Sequence, residues 1–133
     1  MDQDPKSAPQ LKILLVENSR TARAVLSRQL QQANYAVDAV GSGLEALEAI
    51  VQGDYHLVIM DVFLPQMNGY EAAQRIRSLD SDKANTFVLA LSSSTSETDK
   101  KTCLDAGINE YIIKTADNEA LFSAIKKYSQ AQL

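Results

Sequence analysis

Five polar side chains stand where apolar runs of the sequence end, and their types suit phosphoryl transfer. Asp61 ends the run "LVIMD", Glu17 and Asn18 follow "ILLV", Ser92 follows "FVLAL", and Lys114 ends "YIIK". An aspartate carboxylate can accept a phosphoryl group as an acyl phosphate, and Mg²⁺ held by oxygen ligands neutralises the charge on the phosphoryl oxygens. The ammonium of Lys114 and the hydroxyl of Ser92 are suited to hold those oxygens, so the five residues form a candidate phosphoryl-transfer site.

The apolar runs that carry these residues have the composition of strands. Four of the runs are almost continuously apolar, which favours strands covered on both faces of a sheet. They are residues 11–16, 56–60, 86–91 and 110–114. A further run, residues 35–40, contains Asp38 and favours an edge strand. Segments with helical spacing of apolar residues follow each run. Their apolar positions include Val25, Leu44, Val51 and Leu104.

Strict alternation of strand and helix predicts a parallel sheet with right-handed crossovers and helices on both faces. Parallel strands bring their carboxyl ends to one rim, which is where such sheets bind ligands. The five candidate residues all fall at strand ends on that rim. The sequence therefore predicts that they meet in one cleft.

Local signals place several helix ends. Ser42 with Glu45, and Asn68 with Glu71, have the side chains to cap the second and third helices reciprocally. Gly107 stands where the fourth helix needs a left-handed residue to end.

Bulk composition excludes several classes of function. The chain has 133 residues, enough for one domain, and a net charge of −4 without a basic cluster, which argues against direct nucleic-acid binding. No apolar run approaches the roughly 18 residues of a membrane span. The single cysteine, Cys103, cannot form an internal disulfide, and we expect a cytoplasmic protein. Residues 1–10 are expected to be a flexible tail and residues 11–129 the domain.

Residues 11–129 resemble the receiver domain of two-component response regulators. The matching motifs are "ILLVEN" (13–18), "IMDVFLPQMNGYEA" (59–72), "LALSS" (89–93) and "DAGINEYIIK" (105–114), in the family's order and spacing. The match is most similar to receivers of hybrid histidine kinases and phosphorelays. It implies a flavodoxin-like (βα)5 α/β fold with strand order 2-1-3-4-5.

The resemblance also implies residue roles. Asp61 is expected to be the phosphoacceptor, Lys114 to pair with the phosphoryl group, and Ser92 to move toward it as a switch hydroxyl. Tyr111 is the expected aromatic switch, which turns inward when Ser92 moves. The metal ligands implied are Glu17, Asn18, Asp61 and the backbone carbonyl of Phe63. Phe63 and Ser94 are expected to tune the access of water to the acyl phosphate.

Two positions depart from the family pattern. Asn18 replaces the second member of an acidic pair, so it keeps an oxygen ligand but loses a charge, and we expect weak Mg²⁺ binding. Thr115 follows Lys114 where the family generally has a proline, often in the cis form. Because a cis bond before a non-proline residue costs roughly 2.5–4 kcal/mol, we expect Lys114–Thr115 to be trans.

The sequence leaves three functions in competition. The first is a phosphoacceptor in a His-to-Asp relay. A histidine kinase or histidine phosphotransfer protein would dock at the first helix and the loop near Thr115, and a downstream protein target at the face around helices four and five. Any catalysis would be limited to the chain's own phosphorylation and dephosphorylation.

The second possible function is a pseudo-receiver that binds partners without phosphate. The third, a haloacid dehalogenase type of hydrolase, needs a second aspartate where Phe63 stands, and we set it aside.

Overall fold

The computed structural model describes residues 10–131, which form five strands and five helices in alternation, with a short 3₁₀ helix before the fourth strand. The expected tail falls almost entirely outside the described residues. The strands are β1 (Lys12–Val16), β2 (Ala36–Val40), β3 (Leu57–Asp61), β4 (Phe87–Ser92) and β5 (Glu110–Ile113). The helices are α1 (Arg20–Gln32), α2 (Gly43–Gln52), α3 (Gly69–Arg77), α4 (Glu97–Asp105) and α5 (Glu119–Ala131), and the 3₁₀ helix is Asp82–Asn85.

All five strands pair in parallel in the order β2-β1-β3-β4-β5. This confirms the predicted flavodoxin-like sheet. The order reverses beside β1, so the ends of β1 and β3 flank the switch point where a ligand cleft forms. Asp61 pairs with Leu91, and Ser92 with Ile113, which aligns the ends of β3, β4 and β5 on one rim.

Two apolar layers cover the sheet. Side chains such as Leu14, Val58 and Val88 pack on one face with α2, α3 and α4, while Ile13 and Ile59 pack on the other with α1 and α5. Every residue of β3 is buried, because β3 is central and helices cover both of its sides. This double burial explains why the central strands are almost continuously apolar.

The prediction that residues 110–114 form a strand covered on both faces is wrong. β5 is an edge strand, and of its four residues only Ile112 is buried. The reason is topological, since a five-stranded open sheet has two edges and β2 occupies the other.

Four apolar helical positions also depart from the expected pattern. Val25, Leu44, Val51 and Leu104 are exposed, with 41–60% of their surface accessible. Each helix has only a narrow stripe toward the sheet, and residues such as Leu26, Ala46 and Cys103 fill it.

The predicted helix ends agree with the structure, although each of the two predicted reciprocal caps is formed only in part. Ser42 accepts the Glu45 amide, but the Glu45 carboxylate accepts the Gly41 amide at 2.9 Å instead of the amide of the capping residue. The Glu71 carboxylate accepts the Asn68 amide at 3.2 Å. Gly107 has φ +102°, the left-handed conformation that ends α4.

Candidate functional site

Asp61 lies at the centre of the rim, at the last position of β3. Its side chain is only 11% exposed, and its Oδ2 lies 3.1 Å from Lys114 Nζ. Its Oδ1 accepts the backbone N–H of Phe63 at 3.1 Å. The carboxylate is therefore held on both oxygens, by the cation that directly follows β5 and by the loop that follows its own strand.

Glu17 is the second carboxylate of the cleft and is 7% exposed. Its Oε2 accepts the Ser19 amide at 2.8 Å, which turns the side chain back over the start of α1. Its Oε1 lies 3.7 Å from Lys114 Nζ. Lys114 therefore pairs with both carboxylates, and the structure brings together Glu17, Asp61 and Lys114 as the sequence predicts.

Asn18 is exposed beside Glu17, and its side-chain amide donates to the Gly41 carbonyl at 3.4 Å. Arg23 reaches the same place from α1, where its Nη1 donates to the Glu17 carbonyl at 2.7 Å. This contact was not predicted from the sequence. An arginine on a helix usually faces solvent, and no local pattern distinguishes Arg23 from Arg20 and Arg28 of the same helix.

The residues that the family resemblance implies as metal ligands suit Mg²⁺ in kind. Carboxylates of Glu17 and Asp61, an amide of Asn18 and a backbone carbonyl at Phe63 are hard oxygen donors, which Mg²⁺ prefers. Within residues 10–131 no group of three or more His, Cys, Asp or Glu side chains is arranged to hold a metal ion. The four implied ligands therefore comprise two anionic side chains and two neutral oxygens.

Ser92 is fully buried at the end of β4, and its hydroxyl accepts the Ser94 amide at 3.1 Å. The Ser94 hydroxyl donates to Asp99 at 2.5 Å and accepts the Ser96 amide at 3.2 Å. Ser94 is therefore engaged with the first turn of α4. The hydrogen bonds tie both predicted hydroxyl residues into one loop between β4 and α4.

Tyr111 is half-buried on β5 and contacts that same loop. Its hydroxyl donates to the Ser94 carbonyl at 2.8 Å. The ring lines a small cleft of about 180 Å³ with Thr95, Lys100 and Ile113. An aromatic side chain on β5 is thus joined through one carbonyl to the segment that begins at Ser92.

The loop after Lys114 is closed by polar contacts instead of a proline ring. The Lys114–Thr115 peptide bond is trans, as expected. The Thr115 hydroxyl donates to Asp117 at 2.9 Å, and Asp117 also accepts the Glu119 amide. The Glu119 amide, followed by the Thr115 hydroxyl, lowers the pKa of the Asp117 carboxyl. These bonds shape a turn that leaves Lys114 aimed at Asp61.

The loop after Asp61 is shaped by a close backbone approach. A Cβ at Gly69 would lie 2.8 Å from the Asp61 carbonyl oxygen, so only glycine fits there. The left-handed residue of this loop is Gln66, with φ +69°. Phe63, two residues after Asp61, is 57% exposed, and its backbone amide is the one that donates to the Asp61 carboxylate.

A family model for the response regulator receiver domain matches residues 13–126. The chain belongs to the response regulator receiver domain family. It is 38% identical over 114 residues to the uncharacterized transcriptional regulatory protein YkoG of Bacillus subtilis, covering 86% of this chain and 49% of YkoG. It is 33% identical over 130 residues to hybrid signal transduction histidine kinase B of Dictyostelium discoideum, covering 88% of this chain and 6% of the kinase.

Solved receiver domains have the same architecture. The receiver domain of Saccharomyces cerevisiae Ssk1, crystallised with the histidine phosphotransfer protein Ypd1, is 30% identical with a TM-score of 0.83, over 93% of this chain and 92% of that chain. The receiver domain of sensor histidine kinase PA1611 from Pseudomonas aeruginosa has magnesium in its active-site cleft. It is 28% identical with a TM-score of 0.81, over 90% of this chain and 98% of that chain.

Membership of the receiver family places the chain in two-component signalling. The chain spans half or less of the length of these two relatives, which are longer proteins. Among the helices of residues 10–131, none has the length and apolar character needed to cross a membrane.

Proposed function

We propose that the chain accepts a phosphoryl group on Asp61 from a phosphohistidine and passes the signal to a protein partner. The observation that carries this proposal is the nearly buried Asp61 carboxylate, which pairs with Lys114 at 3.1 Å beside a second carboxylate. In the transfer, an oxygen of Asp61 forms the new O–P bond while the P–N bond of phosphohistidine breaks. The electron pair of that bond stays on the imidazole nitrogen.

Lys114 changes its role during this reaction. Before transfer, it balances the charges of Asp61 and Glu17. After transfer, Asp61 is an acyl phosphate, and the same ammonium pairs with the phosphoryl oxygens. Ser92, which is buried at the neighbouring strand end, donates its hydroxyl to a second phosphoryl oxygen.

The movement of Ser92 carries the signal. Turning its hydroxyl toward the phosphoryl group breaks the bond it accepts from the Ser94 amide. Because the Ser94 carbonyl holds the Tyr111 hydroxyl, this rearrangement frees the ring to change position on β5. The output surface is therefore the one formed by α4, β5 and α5.

Mg²⁺ would be held by Glu17, Asn18, Asp61 and the Phe63 carbonyl, and when bound it neutralises phosphoryl charge. Binding is weak relative to a site with three carboxylates, because Asn18 contributes no charge. Phe63 covers one side of the acyl phosphate and slows its hydrolysis. Ser94 influences hydrolysis through the position of the loop that it anchors to α4.

The phosphodonor is a histidine kinase or a histidine phosphotransfer protein. This assignment is supported by the likeness to the Ssk1 receiver crystallised with Ypd1 and to the hybrid kinase. The donor reaches Asp61 across α1 and the Thr115 loop, where Val25 exposes 52% of its surface. The domain is proposed to extend over residues 11–129.

Incubation with phosphoramidate, whose P–N bond resembles that of phosphohistidine, tests the proposal. We expect a Mg²⁺-dependent phosphoryl adduct in the intact mass of the parent protein and no adduct in Asp61→Asn. Asp61→Asn keeps the shape of the side chain but lacks the nucleophilic carboxylate. An adduct in Asp61→Asn would move the acceptor to another residue.

A second candidate function is a pseudo-receiver that binds partners without phosphate. Asn18 favours it, since the metal site is short of one charge. The absence of an adduct at high Mg²⁺ concentration would support this second function and contradict the first.

A further inference from the structure

Arg23 makes a contact near the end of β1 that has no part in the proposed phosphoryl transfer. Its Nη1 donates to the Glu17 carbonyl at 2.7 Å and lies 3.5 Å from the Asn18 carbonyl. The side chain is half-buried, whereas Arg20 and Arg28 of the same helix are exposed. The two carbonyls belong to the peptide groups on either side of the Asn18 Cα. The guanidinium therefore restrains the backbone from which Asn18 projects.

Gly41, after β2, provides the space for this guanidinium. A Cβ at position 41 would lie 2.8 Å from Arg23 Nη1, so any side chain there would displace it. Unlike Gly107, Gly41 does not have a positive φ, so alanine at position 41 would not strain the backbone. The Gly41 carbonyl also accepts the Asn18 side-chain amide at 3.4 Å. Arg23, Gly41 and Asn18 thus form one unit across the loops after β1 and β2.

We propose that Arg23, seated against Gly41, is a positioning residue that sets the direction in which Glu17 and Asn18 present their oxygens to the metal. This inference rests on the proposed function of the cleft. Arg23 acts through the backbone and does not touch the phosphoryl group. The direction of the ligand oxygens affects Mg²⁺ affinity more here than in a site with three carboxylates. The reason is that the neutral amide of Asn18 attracts a cation only when its oxygen points at the cation.

The test compares Arg23→Met, Arg23→Lys, Gly41→Ala and the Arg23→Met/Gly41→Ala double variant. Arg28→Met, on the exposed part of the same helix, is the matched control. Isothermal titration with MgCl₂ measures metal affinity without any phosphodonor. A second series measures the phosphoramidate reaction rate as a function of Mg²⁺ concentration. Thermal unfolding followed by circular dichroism reports whether each variant is folded.

We expect Arg23→Met and Gly41→Ala each to weaken Mg²⁺ binding by about tenfold, as loss of an outer-shell partner of a metal ligand does. The double variant should bind no more weakly than Arg23→Met, because both changes remove the same contact. Arg23→Lys should not restore affinity, since its shorter side chain does not reach the Glu17 carbonyl. The reaction rate at saturating Mg²⁺ should change little.

Several outcomes would overturn the inference. The first is that Arg23→Met binds Mg²⁺ as tightly as the parent or more tightly. The second is that the losses of Mg²⁺ affinity in the two single variants add in the double variant. The third is that Arg23→Lys has the full Mg²⁺ affinity of the parent. If Arg23→Met does not fold, Gly41→Ala decides, since it keeps the arginine. A parent protein that binds Mg²⁺ but forms no adduct would refute the proposed function alone, because the titration still tests Arg23.

Discussion

Asn18 stands where a third carboxylate would add charge beside Glu17 and Asp61. Its side chain instead donates to the Gly41 carbonyl, and Lys114 balances the two carboxylates. A neutral amide lowers the attraction for Mg²⁺ but also avoids repulsion among the acids when no metal is bound. We therefore propose that this residue lowers the affinity for Mg²⁺ and stabilises the metal-free protein.

We expect Asn18→Asp to tighten Mg²⁺ binding by about tenfold or more, because a carboxylate attracts a divalent cation more strongly than an amide. Titration calorimetry with MgCl₂ checks this. The metal-free variant should melt at a lower temperature than the parent, and Mg²⁺ should raise its melting temperature by more. Asn18→Ala, which lacks any side-chain oxygen, is the control for loss of the ligand. Equal affinities in the parent and Asn18→Asp would mean that position 18 does not contact the metal.

Phe63 follows Asp61 by two residues and is 57% exposed, so much of its side chain is in contact with solvent. Replacing it with Lys or Asn should shorten the lifetime of the acyl phosphate, because a polar side chain admits water to the phosphorus. Loss of the phosphoryl adduct in intact mass spectra after removal of phosphodonor gives the lifetime. Phe63→Leu is the control, since it stays apolar. Equal lifetimes in all variants would exclude a tuning role.

Arg77, at the end of α3, joins several elements of the fold through hydrogen bonds. Its guanidinium donates to the carbonyls of Gly107, Ala84 and Thr86 and to the side chain of Asn109. Burial lowers the pKa of Arg77. One cation thus joins α3, the 3₁₀ helix and the loop before β5, and it packs against Gly107, where a Cβ would lie 2.8 Å from Arg77 Cγ.

Arg77→Met should lower the free energy of unfolding by roughly 2–3 kcal/mol, because it leaves partly buried carbonyls without donors. Urea denaturation followed by circular dichroism measures this change. Arg75→Met, an exposed arginine on the same helix, should stay within about 0.5 kcal/mol of the parent. If the two variants were equally stable, the Arg77 contacts would contribute nothing to holding these elements together.

At the scale of the whole molecule, the end of the sheet opposite the cleft carries a group of polar contacts around Tyr55. The Tyr55 hydroxyl donates to Asp38 at 2.7 Å, and Lys12 lies 5.0 Å over the Tyr55 ring and 3.9 Å from Asp38. Burial, followed by the hydrogen bond and charge of Asp38, raises the pKa of Tyr55 to about 12. The folded protein therefore favours the neutral phenol.

A raised pKa gives stability that is complete below the unfolded tyrosine pKa of about 10 and is lost as pH rises through the folded value. We expect the free energy of unfolding to fall between pH 10 and 12, and to fall less in Tyr55→Phe. Urea denaturation at pH 9, 10, 11 and 12 checks this. Asp38→Asn should reduce the fall partly, because it keeps an acceptor but removes the charge. An identical fall in the parent and Tyr55→Phe would assign the effect to other groups.

How far the sequence predicts the structure differs between residues. Asp61, Lys114 and Glu17 were predictable because each ends an apolar run, and parallel strands bring such ends together. The exposure of Val25 and Leu44 was not, since apolar spacing alone does not show how wide a stripe the sheet covers. The contact between Arg23 and the Glu17 carbonyl depends on the crossing of α1 over β1, which no local pattern records.

The amino-acid sequence by itself determined the alternation of strands and helices, the strand order through the family resemblance, and the residue types of the cleft. Hydrophobic periodicity and strand-end position are local properties, so they can be seen along the chain. Only the tertiary structure decided that Lys114 pairs with both carboxylates and that Gly41 leaves room for Arg23. It also decided that Thr115 closes its loop through Asp117. These contacts join loops and strands distant in sequence or depend on loop conformation, and only the packing of helices on the sheet sets their distances.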